Sequence, residues 1–138
     1  MRKSLLFSLM VLGAMNSQAA GDGGSADAGA LALGRTVSAD FWAGKLEPVW
    51  TRMSPVMQKG LDGNISGLAT VREKLLAIAA GPGQLVSESV QNVSGNVVYL
   101  RVFRVTQGGE PALFQEQWAI QDGRTVTGFY VRPPSMFL

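Results

Sequence analysis

The chain has 138 residues, 46% of them hydrophobic and 16% charged, a composition typical of one globular domain rather than of a disordered or fibrous protein. It has no cysteine and no histidine, which excludes disulfide staples, thiol nucleophiles, zinc sites of the usual nitrogen and sulfur type, imidazole bases and the serine-histidine triad. Its twelve Lys and Arg stand mostly singly against ten Asp and Glu, whereas a nucleic-acid partner needs a basic stripe, so none is expected.

The chain opens MRKSLLFSLMVLGAMNSQAA, two basic residues followed by an apolar run and then small residues, the order of parts in a secretory signal peptide. The run is too short for a stable membrane-crossing helix, which takes about 20 residues. Residues 1–19 are therefore read as a leader cleaved after Ala19, with no stable membrane anchor left. Losing Arg2 and Lys3 brings the mature chain to a formal net charge of zero. The expected location is the periplasm or the outside of the cell.

Residues 20–26 hold Gly, Ala, Ser and Asp with nothing large to bury, the composition of a flexible tether. A domain is expected over 27–133, with 134–138 as a tail. From Asp27, a candidate N-cap, Ala30, Leu33, Val37 and Phe41 recur at helical spacing up to Gly44, which suits the position just past a helix end. Pro48 and Pro55 then favour two short helices over one long rod. GLDGNISG reads as loop, and Thr70 with Glu73 as a capping box opening a helix that ends at Gly81-Pro82-Gly83.

From Gln84 onward the composition shifts to Val, Thr, Phe, Tyr and Trp, broken at Ser94-Gly95-Asn96, Gly108-Gly109 and Asp122-Gly123. That pattern predicts four strands in a meander. Helices first and sheet afterwards make the fold class α+β.

A two-residue loop at Gly108-Gly109 sets Phe103 opposite Phe114, Arg101 opposite Glu116 and Tyr99 opposite Trp118. The Asp122-Gly123 turn, taken the same way, sets Thr127 beside Trp118, Phe129 beside Glu116 and Val131 beside Phe114. In the first strand, a two-residue loop brings Val86, Glu88 and Val90 to this aromatic face, in a row Glu88, Arg101, Glu116; a three-residue loop turns them away. Trp42, Tyr99, Arg101, Phe103, Glu116 and Trp118 form the candidate ligand pocket, apolar with few converging polar groups. Replacing Arg101 with Met and Glu116 with Leu together, a nearly volume-conserving apolar pair, separates pocket from mere structure: a variant as stable as the parent that loses ligand marks the pair as functional, and unchanged binding removes it as a site. The reverse face, with Leu100, Val102, Gln115, Gln117 and Tyr130 and also Val126, is the candidate homodimer surface.

The helix pattern of LGRTVSADFWAGKLEPVWTRMSPVMQKGL followed by the meander ending in DGRTVTGFYV resembles the nuclear transport factor 2-like, or cystatin-like, superfamily. It is most similar to small exported bacterial domains of unknown function, some of them found ahead of serine hydrolase domains. The resemblance spans 27–133 and rests on element order and on the F-W-x-G-K-L-x-P-V-W and D-G-x-x-x-G-F patterns. It implies a curved sheet wrapped around the first helix, with a pocket at the open end of a cone. The expected function is a non-catalytic binding or interaction module for a small apolar or acidic ligand, without cofactor or metal. The alternatives are a small hydrolase or isomerase using Glu116 and Arg101, or an accessory domain for a separate envelope enzyme.

Overall fold

A computed structural model describes residues 11–12, 23–79, 83–93, 96–107 and 109–132. The rest of the leader with its cleavage point at Ala19, the first tether residues, Gly81-Pro82, Ser94-Gly95, Gly108 and the tail lie outside the described residues. Among the described residues four helices precede the four long strands, α1 Gly23–Ala43, α2 Leu46–Arg52, α3 Pro55–Gly60 and α4 Ile65–Ala79. Four long antiparallel strands follow, β2 Gln84–Val93, β3 Asn96–Gln107, β4 Glu110–Gln121 and β5 Thr125–Arg132. A two-residue strand β1, Val11–Leu12, pairs with Phe129 and Gly128 at the outer edge of β5, giving the order β1-β5-β4-β3-β2. The α+β class is as expected.

Helix α1 buries Ala30, Leu33, Val37 and Phe41 on one stripe and packs across β2, β3 and β4. It starts at Gly23, inside the segment read as tether, and ends in the expected way. Gly44 has φ +85°, its N–H donates to Phe41 O at 3.1 Å and that of Lys45 to Asp40 O at 2.8 Å, the pair of hydrogen bonds that marks a left-handed glycine cap. Arg72 of α4 reaches the same end, Nε to Phe41 O and Nη2 to Trp42 O, both at 2.9 Å. The carbonyls that a helix end leaves unpaired are thus held by another helix.

The two proline helices form as expected, with Ser54 capping α3 by accepting from Met57 N at 3.2 Å and Pro55 in its first turn. Helix α4 departs from expectation, because it begins at Ile65, within the presumed loop. Asn64 Oδ1 accepts from Ser66 N at 2.9 Å and supplies the cap. Thr70 lies a turn further in, its hydroxyl donating to Ser66 O at 3.0 Å, so the Thr70–Glu73 box is not the helix start.

Strands β3 and β4 pair as read, with Phe103↔Phe114, Arg101↔Glu116 and Tyr99↔Trp118. Strand β2 takes the two-residue register, Val93↔Asn96 and Glu88↔Arg101, but a bulge between Leu85 and Ser87 expels Val86, which is exposed rather than on the aromatic face. The β4–β5 register needs correcting. The turn uses Asp122, Gly123 and Arg124, so Gln121 faces Thr125, and a bulge between Ala119 and Ile120 adds a second displacement. Phe129 therefore lies beside Trp118 and Val131 beside Glu116. Two one-residue shifts restore the face for Phe129 and Val131. Between them the face is inverted, which puts Val126 in the core opposite Ile120 and not on the reverse face.

The core joins α1 to the sheet by rings: Phe41 meets Trp118 at 5.8 Å and Phe129 at 5.1 Å edge-on, Trp118 stacks on Phe129 at 4.0 Å, and Phe103 stacks on Phe114 at 5.7 Å. Such ring pairs contribute about 0.5–1.5 kcal/mol each beyond their burial.

Candidate functional site

All six predicted pocket residues lie on the α1 side of the sheet, but they do two different things. Glu116 is fully buried. Its Oε1 accepts from Trp42 Nε1 at 3.1 Å and Arg101 Nη1 at 3.2 Å, and its Oε2 from Ser38 Oγ at 2.7 Å and Trp118 Nε1 at 2.6 Å. A carboxylate offers about four lone-pair sites, and here four donors take them. Phe103, also fully buried, carries the Arg101 guanidinium 5.2 Å from its ring centre. Glu116 and Trp118 are therefore interior parts of a satisfied polar cluster, with Phe103 buried beside it, and none of the three lines the groove that opens next to them.

Beside this cluster an open groove of about 600 Å³ runs between α1 and β2–β3. Arg35, Ser38, Ala39, Trp42 and Ala43 line it from the helix; Gly83, Leu85, Glu88, Tyr99 and Arg101 line it from the sheet side. Of the six candidate pocket residues, Trp42, Tyr99 and Arg101 line this groove. Arg101 is 13% exposed and spans the two features, bonded to Glu116 inward and lining the groove outward.

Arg35 is the residue that sequence reasoning missed. Its side chain is 58% exposed against 18% for Glu88, yet the pairing is two-pronged: Nε donates to Glu88 Oε1 at 2.9 Å and Oε2 at 3.2 Å, and Nη2 donates to Oε1 as well. Tyr99 OH donates to Glu88 Oε2 at 2.8 Å. The Arg35 hydrogen bond, with help from Tyr99 and from the positive fields of Arg35 and Arg101, holds the Glu88 carboxyl below its usual range against a smaller opposing effect of burial. Burial first, and then the bond to Glu88, pushes the Tyr99 phenol well up. Arg35 stands seven residues before Trp42 on α1, two helical turns along the same side. That spacing was the available signal.

A second, smaller hollow of about 300 Å³ lies beyond the Arg35–Glu88 pair, against Ala28, Leu31 and Val90. The five reverse-face residues Leu100, Val102, Gln115, Gln117 and Tyr130 are all half-buried on the side away from α1. Gln117 Nε2 donates to Gln115 Oε1 at 2.8 Å and Arg132 Nη2 to Tyr130 OH at 2.8 Å. Among the described residues no group of three or more acidic side chains could hold a metal ion, and no helix is long and apolar enough to cross a membrane.

Fold and site together define the class: an α+β domain with an N-terminal helical layer on one antiparallel sheet, a saturated polar cluster inside and an apolar-walled groove beside it. Set against protein-family models, curated proteins and solved structures, the chain matches none.

Proposed function

We propose that the chain is an exported, non-catalytic binding module that takes a small ligand in the groove between α1 and β2–β3. The observation that carries this reading is the contrast between groove and cluster. The groove has the size of a ligand site, which runs roughly 300–1,000 Å³, with mainly apolar walls and a few converging polar groups. The buried carboxylate that would have to serve a hydrolase or isomerase is occupied by four donors, and a general base needs a lone pair within reach of the substrate proton. Membership of the nuclear transport factor 2-like superfamily is part of the same proposal, supported by helices preceding a meander and by α1 lying across its inner face. So is export, which rests on the leader pattern of residues 1–19.

Ala39→Trp tests the groove, since Ala39 is an exposed helix position on its wall. A large ring there should fill the space without touching the Glu116 cluster. Small molecules that raise the melting temperature of the wild-type chain should no longer do so in the variant; hits retained by Ala39→Trp would remove the groove from consideration. The half-buried reverse face supports a second reading, a homodimer through Leu100, Val102, Gln115, Gln117 and Tyr130. A monomeric mass by light scattering at micromolar concentration would rule it out.

A further inference from the structure

If the groove is the binding site proposed above, its hydrogen-bonding groups narrow what can occupy it. Glu116 has no acceptor capacity left, and Glu88 already accepts two contacts on each oxygen. The Ser38 and Trp42 donors are spent on Glu116, and the Tyr99 hydroxyl hydrogen on Glu88. On Arg35 the Nε and Nη2 edge is committed, while Nη1 has no acceptor among the described residues. Guanidinium presents five N–H donors and no acceptor. The two arginines are balanced by the two carboxylates, so what the groove has to spare is donor capacity on Arg35 Nη1, set beside Ala39, Ala43 and Leu85.

We propose that the ligand is a small amphipathic monoanion, a carboxylate on an apolar body, with its anionic end on Arg35 Nη1 and its body against Ala39, Ala43 and Leu85. Two features favour this over a cation or a polyanion. A cation would need acceptors, and both carboxylates are occupied. A polyanion would need several free donors, and the remaining wall is largely apolar. Glu88 is a positioning residue: it fixes an otherwise exposed arginine so that one edge is held and the other is presented. Tyr99, itself buried, anchors Glu88 in turn. Preorganising a side chain in this way removes ordering cost at binding.

The test compares 4-phenylbutyrate, 4-phenylbutanamide and 4-phenylbutylamine, equal in chain and ring, by tryptophan fluorescence and thermal shift on the full chain. The carboxylate should bind at least tenfold tighter than the amide, the amine least, and the carboxylate's advantage should shrink as salt rises. In Arg35→Gln with Glu88→Gln, which leaves the net charge unchanged, carboxylate affinity should fall to that of the amide. Arg35→Lys should keep part of the preference, which a merely structural role for Arg35 would not give. Equal binding of all three probes, or a preference that survives the double variant, overturns the anion assignment while the groove still stands. No binding of any probe overturns both, and binding that is undiminished by Ala39→Trp places the ligand elsewhere.

Discussion

At Glu116 the physical question is whether a buried charge is paired or merely enclosed. Opposition to Arg101 alone would make it one cross-strand ion pair, and replacing both partners by apolar residues would cost little. The structure changes that expectation, because Ser38 and the two indoles of Trp42 and Trp118 also point at the carboxylate. Arg101→Met with Glu116→Leu would strand three donors in the interior, at about 1–3 kcal/mol for each one left unsatisfied. The double variant is therefore expected to lose about 3 kcal/mol or more, measured by urea denaturation, and not to be neutral. A loss under about 1 kcal/mol would mean that water replaces the carboxylate. Gly34 is a second position where one atom decides, since a Cβ there would stand 2.2 Å from Tyr99 Cγ. Gly34→Ala should push α1 off β3 and destabilise by about 2 kcal/mol or more, within the range of overpacked cores.

Among the elements, the caps are the most readily tested parts. Ser54→Ala removes the bond to Met57 N, and a lost N-cap costs about 1 kcal/mol. Gly44→Ala forces a side chain into φ +85° at a cost of roughly 1–2 kcal/mol, a backbone cost alone, since the added Cβ meets the Arg72 guanidinium carbon at 3.5 Å, an ordinary contact. Both are checked by thermal melts. The element boundaries show how far local patterns reach. The stripe of Ala30, Leu33, Val37 and Phe41, with glycine after it, was enough to place the body of α1 and its C-terminal end, but not its start at Gly23. Thr70 and Glu73 have capping-box spacing but lie inside α4, because an amide side chain at Asn64 offered an earlier cap. The β-bulges at Val86 and Thr127 left no local mark; they are settled by which side chains the core can accept, and Val126 is buried for that reason.

On the scale of the whole molecule, α1 is tied to the sheet near its middle by Arg35 and Glu88, and towards its C-terminal end by Ser38, Trp42 and Glu116. The first tie gives a pH dependence with a definite sign. Glu88 has its carboxyl pKa lowered in the folded state, so its stabilising effect is present above the unfolded value, about 4.3, and is lost as pH falls through the lower folded value. Comparing wild type with Glu88→Gln, the difference in melting temperature should be constant above about pH 5.5 and close as acid is added, given an unfolded glutamate near 4.3. A difference that grows on acidification would contradict the assigned sign.

The sequence by itself determined the α+β class, the order of helices and strands, and the pairing of β3 with β4, because periodicity and two-residue glycine turns are local properties of the chain. It also placed Arg101 and Glu116 opposite each other. Only the tertiary structure decided that Glu116 is saturated and sealed while Glu88 faces an open groove. That outcome depends on where α1 lies over the sheet, which brings Arg35, Ser38 and Trp42 to strands more than fifty residues away, and packing between distant segments leaves no periodic trace in either one.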